Sequence, residues 1–137
     1  MNYQVPDCFY RIGVKGLIID EKKKFLLIKE DNGWWDMPGG GIEFYETAQQ
    51  ALEREIKEEM GLTVTSMAKH PSYFLTTTNP QGMPIANIIY TIEVKDLHFT
   101  PSREYIAIKF FTAQEILKEK DIFPNVREFA KLYEIKE

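Results

Sequence analysis

A chain of 137 residues, 44% hydrophobic and 28% charged, has the balance of one globular domain with room for a core, which excludes a disordered or fibrous polymer. Its net charge of −4 sets aside generic binding to nucleic acid polymers or to anionic membranes. The lone cysteine, Cys8, allows no intrachain disulfide and no CxxC pair, which fits a reducing cytoplasm.

In the opening stretch MNYQVPDCFYRIGVKG, Asp7, Arg11 and Lys15 break any leader-peptide pattern. No apolar run approaches the roughly 20 residues that span a bilayer. CFYRIGVKGLII (Cys8 to Ile19) reads as a strand with Cys8 as a small apolar filler, and FLLIKE (Phe25 to Glu30) as its hairpin partner across the solvated turn Lys22 to Lys24. Asn32-Gly33 signals a tight turn, Trp34 to Met37 a short extended piece, and Pro38 with the following glycines an end to regular structure. Thr47 followed by Gln50 is a capping-box pattern, so a helix is expected from Thr47 to a stop at Gly61. TVTSMAKHPSYFLTTT is β-branched and aromatic, and NPQG (Asn79 to Gly82) is a turn. ANIIYTIEV alternates with Ala86, Ile88, Tyr90, Ile92 and Val94 on one face, and EYIAIKFF reads as a further strand. Thr112 and Glu115 open a short helix, and Val126, Phe129, Ala130 and Tyr133 place a last helix against the sheet. Strands with interspersed helices give an α+β or layered α/β single domain over residues 1–137.

The unusual segment is GGGIEFYETAQQALEREIKEEMGL. On a helix from Thr47, Ala48, Ala51 and Leu52 share a face that Glu55 and Glu59 continue, with Glu58 beside them. Like charges at three- and four-residue spacing cost an isolated helix roughly 0.2–0.5 kcal/mol per pair. Glu53 and Lys57 form an ordinary i,i+4 surface pair, and Glu58 has Arg54 one turn earlier; Glu55 and Glu59 have no cation in local register. Half-buried carboxylates held together must protonate, find cations or bind metal, and oxygen-only ligands suit Mg²⁺ or Mn²⁺. Gly39, Gly40 and Gly41 just upstream let the backbone approach closely, so a carbonyl there can complete the coordination. Hard cations in such sites usually hold phosphates.

Gly40, Glu46, Arg54, Glu55, Ile56, Glu58, Glu59, Gly61 and Leu62 fit G-x5-E-x7-R-E-U-x-E-E-x-G-U, with U bulky aliphatic, at every specified position. On these residues the chain resembles the Nudix family, and Trp35-Asp36-Met37-Pro38-Gly39-Gly40 resembles its usual lead-in. The resemblance implies an α/β/α sandwich with a mixed sheet and the box as loop–helix–loop. It implies divalent-metal hydrolysis of a nucleoside diphosphate linked to another group, a small-molecule nucleotide substrate, and membership of a family in which homodimers are frequent. Glu55, Glu58 and Glu59 with the Gly40 carbonyl would hold the metal, and Arg54 with Glu46 would orient them. The catalytic set is then Glu55, Glu104 and Arg54, the base being Glu55 or Glu104; the plain reading of Glu104 is a solvated acid before a strand.

Asn125, in FPNVREFAKL, resembles the asparagine that MutT-type members place against a purine, although Asn125 with Glu128 is also a cap pattern. Trp35, Trp34, Tyr73 and Phe74 carry two readings, stacking on a base or packing the sheet. His70 and His98 read as surface or packing residues. MutT-like hydrolysis of nucleoside triphosphates is the expected activity, with ADP-ribose or nucleoside-diphosphate sugars as the alternative substrates and a silent nucleotide sensor as the alternative class. ADP-ribose members typically carry a proline about 15 residues after the box, where this chain has Thr76 to Thr78 with Pro80 just beyond.

Overall fold

The computed structural model describes residue 4 and residues 7–136, side chains excepted at 135 and 136. In chain order the elements are β1 (Arg11–Leu17), β2 (Phe25–Glu30), β3 (Trp35–Asp36), β4 (Gly39–Gly41), α1 (Ala48–Met60) and β5 (Val64–Met67). There follow β6 (Tyr73–Thr78), β7 (Pro84–Val94), β8 (Tyr105–Phe111), α2 (Ala113–Lys118) and α3 (Pro124–Lys136). The strands divide into a five-stranded mixed sheet, β4-β1-β7-β5 with β6 also on β7, and a three-stranded antiparallel sheet, β3-β2-β8. At the centre β1 and β7 run parallel from Arg11↔Ile85 to Leu17↔Thr91.

Alternation along the strands sends side chains into two cores. Phe25 and Leu27 join Phe111, Val126, Phe129 and Tyr133 under α2 and α3, whereas Leu26 and Ile28 join Leu52, Ile56 and Met60 under α1. Each large side chain so buried contributes roughly 1.5–3 kcal/mol. Ile88, Tyr90, Ile92 and Val94 do share the α1 face, and because β7 is central its other face is covered too, with Asn87 and Ile89 buried there. The layered α/β class is therefore borne out, with α1 on one side and α2 and α3 on the other.

The long helix starts and stops where its sequence signals say. Thr47 and Gln50 form the full capping box, and Gly61 ends the helix in the left-handed region at φ 69° with its N–H on the Lys57 carbonyl. The NPQG turn also forms: Asn79 accepts from Gln81 N–H and Met83 N–H through its side chain and joins β6 to β7. Elsewhere local pattern misleads. The expected hairpin forms only at its turn end, where Asp20 N–H donates to Lys24 O, Leu26 N–H donates to Ile18 O and Ile19 bridges Phe25 antiparallel; beyond it β1 and β2 belong to different sheets. The glycines do not end regular structure but make β4, antiparallel to β1 through Gly13↔Gly41 and Lys15↔Gly39. Cys8 lies before β1 and is exposed, so it fills no core. Lys57 reaches Thr63 Oγ1 at 3.2 Å rather than Glu53. Among the described residues no helix is long and apolar enough to cross a membrane. Residues 1–3, 5 and 6 of the stretch read against a leader peptide lie outside the described residues.

Candidate functional site

The face of α1 that packs Ala51, Leu52, Ile56 and Met60 ends in Glu59, a carboxylate only 4% exposed. Its Oε1 accepts the Gly39 N–H at 2.9 Å. Burial pushes this carboxyl up to about 8, with Glu55 and Asp36 adding and Lys15 and the Gly39 N–H opposing. Glu59 thus sits between protonation and a need for positive charge.

Some of that charge comes from Lys15, buried on β1. Its ammonium donates to Asp36 Oδ2, the Met37 carbonyl and the Gly39 carbonyl, each at 3.2 Å. Burial pushes Lys15 down, but Asp36, Glu59 and Glu55 together outweigh it and hold the ammonium above its ordinary value. The chain approaches closely here because it carries glycine. Gly39 has φ +127°, and a Cβ on it would collide with the Val14 carbonyl. A Cβ on Gly40 would fall 2.6 Å from the Glu55 carboxyl carbon.

Arg54 organises the remaining acids. It grips Glu46 with two bonds, Nη2 to Oε1 at 2.7 Å and Nε to Oε2 at 3.1 Å, and its Nη2 also donates to the Gly41 carbonyl. Through Nη1 it donates to Glu55 Oε1 at 2.9 Å and Glu58 Oε2 at 3.2 Å. Arg54 is held above its ordinary value, first by the Glu46 hydrogen bond, and Glu46 is held low by the same bond. Of the two acids read as lacking a cation in local register, Glu55 is in fact bonded by its neighbour Arg54, whereas the cation that acts on Glu59 is Lys15, from β1.

Two clefts meet at β4. One, about 340 Å³, is lined by Glu55, Glu58, Glu59, Glu104 and Tyr105, so the acid before β8 faces the acids of α1. Burial, then Glu59, Glu30 and Glu104, pushes the Tyr105 phenol up. The other, about 250 Å³, lies between β1, β4, the β6–β7 hairpin and the start of α3, with Arg11, Asp36, Asn87 and Asn125 among its lining. Gly40 lines this second cleft and touches the first through Glu55.

Asn125 is not a cap. It follows Pro124 inside α3 and donates from Nδ2 to Asp36 Oδ1 at 3.0 Å and Asn87 Oδ1 at 2.9 Å. Trp35 and Tyr73 are not brought to either cleft. Trp35 packs edge-on against Phe111 at 5.0 Å, and Tyr73 against Phe129 at 5.1 Å, because both project into the α3-side core. Phe74 points outward and is exposed, as are His70 and His98. Lys15, Asp36 and Asn87 escaped notice as site residues in the sequence. The usable signal was a lysine amid GVKGLII and an asparagine flanked two residues away by Ile85 and Ile89.

The donor set is all oxygen and suits a hard divalent cation. Two features fit one: a glycine edge that a side chain would fill, and a buried carboxyl short of positive charge. As placed, no three acidic or histidine side chains among the described residues stand close enough to cage an ion, because Arg54 holds Glu55 and Glu58 while Glu59 turns to Gly39.

Comparison with known proteins agrees with this layout. A family model described as the NUDIX domain matches residues 9–133. The crystal structure of a MutT protein from Methanosarcina mazei Go1 superposes with a TM-score of 0.80 at 23% identity, covering 96% of this chain and 98% of that one, which shows a shared fold. An ADP-ribose pyrophosphatase of Methanocaldococcus jannaschii is 37% identical over 81 residues, 56% of this chain and 47% of the relative. An 8-oxo-dGTP diphosphatase of Proteus vulgaris is 54% identical over 55 residues, 36% of this chain and 49% of the relative. The chain thus spans about half the length of these curated relatives. Family members generally need a divalent metal, and with its box, its fold and this match over most of its length, the chain belongs to the NUDIX domain family.

Proposed function

We propose that this chain is a Mg²⁺-dependent pyrophosphohydrolase of nucleoside diphosphate derivatives, acting first on nucleoside triphosphates to release a nucleoside monophosphate and pyrophosphate. The observation that carries the reading is the meeting of Glu55, Glu58, Glu59 and Glu104 on one cleft beside the glycine edge. Glu55, Glu58 and Glu59, with the Gly40 carbonyl, would hold the cation. When bound, it neutralises phosphate charge and makes water more acidic. Glu55 or Glu104 then takes the proton of the attacking water. Arg54, gripped by Glu46, positions Glu55 and Glu58. Asn125, on the adjoining cleft, contacts the base. Trp35 and Tyr73 have packing roles and drop out of the substrate set.

A second reading, hydrolysis of ADP-ribose or a nucleoside-diphosphate sugar, is supported by the likeness to the M. jannaschii protein. A panel of 8-oxo-dGTP, the dNTPs, ADP-ribose, sugar nucleotides and dinucleoside polyphosphates, assayed with Mg²⁺ or Mn²⁺, separates them. Pyrophosphate with monophosphate from triphosphates is expected. Preferential cleavage of ADP-ribose moves the assignment to the second reading, and no turnover on any member with either metal removes both.

A further inference from the structure

A phosphate chain in this site needs cationic hydrogen-bond donors that the protein has not already committed. A guanidinium has five N–H donors and an ammonium three. Arg54 commits all of its own: Nε to Glu46, Nη1 to Glu55 and Glu58, and Nη2 to Glu46 and the Gly41 carbonyl. Lys15 does the same with Asp36, the Met37 carbonyl and the Gly39 carbonyl. Neither has a hydrogen left for a substrate. Arg103 has all of its own. It lines the larger cleft with Glu55, Glu58, Glu59 and Glu104, yet makes no hydrogen bond or ion pair among the described residues. No other cationic side chain among the described residues lines that cleft.

The backbone that carries Arg103 is fixed. Ser102 Oγ accepts the Glu104 N–H at 3.2 Å and the Tyr105 N–H at 3.1 Å, and the Ser102 N–H donates to the Tyr105 carbonyl at 2.9 Å. The Glu104 carbonyl accepts the Asp31 N–H at 2.8 Å, which ties this turn to the residue after β2. Arg103 therefore has a set place on the part of the cleft wall that α1 does not supply. Arg11, also exposed, lines the smaller cleft instead. A planar guanidinium suits a terminal phosphate, because it can take two of its oxygens at once.

We infer that Arg103 holds the outermost phosphate of the substrate and so selects a nucleoside triphosphate over a diphosphate capped by a sugar. The inference rests on the hydrolase reading above and deepens it by naming the residue that sets the substrate class. With the nucleoside half in the smaller cleft, the phosphates pass Gly40 and Glu55 into the larger one, and the far end of the substrate meets the turn of Arg103. A triphosphate presents a free phosphate there, whereas ADP-ribose presents a neutral ring. The test is calorimetric binding of pyrophosphate and of ribose 5-phosphate, the departing halves of those two substrates, to the full chain with Mg²⁺. Wild type should favour pyrophosphate about tenfold or more, and Arg103→Ala and Arg103→Gln should each cut that preference at least about threefold. Arg103 is exposed and unbonded, so its removal leaves the fold intact. Lys109→Gln removes the same charge at an exposed position of β8 outside the cleft and should leave the preference unchanged. No binding of pyrophosphate, no wild-type preference, an unchanged preference in the Arg103 variants, or an equal fall in Lys109→Gln overturns the inference. Turnover is scored separately: hydrolysis of triphosphates with pyrophosphate binding indifferent to Arg103 overturns the phosphate reader and leaves the hydrolase, whereas Arg103-dependent pyrophosphate binding without turnover keeps the reader and removes the hydrolase.

Discussion

Glu59 is a carboxyl that the fold holds against its own charge. Its value near 8 means the native state keeps a proton that the unfolded chain gives up near pH 4.5. The native state thus binds more protons across that window, so stability is fully present below about pH 4.5 and falls as pH rises towards 8. Glu59→Gln retains an oxygen for the Gly39 N–H and carries no charge. We expect metal-free denaturant curves of wild type to weaken across that range and those of Glu59→Gln to weaken less, Glu30 being held above its ordinary value as well; parallel curves would mean Glu59 is not the titrating group. Because cation binding needs the ionised form, the same variant should lose at least about 10²-fold in turnover while remaining folded. Wild-type-like rates would remove Glu59 from the metal site. None of this was legible residue by residue, since the burial that raises Glu59 comes from tertiary packing and Lys15, which opposes it, lies more than forty positions away in the chain.

Among the elements, α1 and β4 mark the two extremes of legibility. For α1, cap, stop and apolar face are all short-range signals, so its bounds could be read to within a residue. For β4 the glycine run suggested a loop, because its strand character exists only once β1 supplies the hydrogen bonds. Glycine is used there for proximity, and this makes β4 sensitive to a single methyl group. Gly40→Ala places a Cβ against the Glu55 carboxyl, and its expected effect is a loss of about 10–100-fold in turnover with far-UV circular dichroism unchanged. Full activity in that variant would show that Glu55 has room to move away from Gly40 without cost.

For the molecule as a whole, the Lys15–Asp36 pair matters most, because it joins the two sheets. Lys15 belongs to β1 and Asp36 to β3, and through Asn125 the same carboxylate also holds α3. Lys15→Met leaves Asp36 and Glu59 without their cation in a buried setting. It should cost about 3–5 kcal/mol in urea unfolding, and a loss under about 1 kcal/mol would show that water already compensates these charges. The sheet division was not visible in the sequence. FLLIKE reads as the hairpin partner of the strand just before it, and only tertiary packing pairs it with β8 instead.

The parallel pairing of β1 with β7 joins positions more than seventy residues apart. A ribosome must therefore have delivered nearly two-thirds of the chain before the strand that props the glycine edge gains its lateral support. Until then the acid-bearing helix can wind locally but has nothing to close against. Catalytic competence should accordingly arrive late and all at once during synthesis, and any break in the polypeptide between Gly61 and Pro84 should be judged by whether its pieces can still find each other.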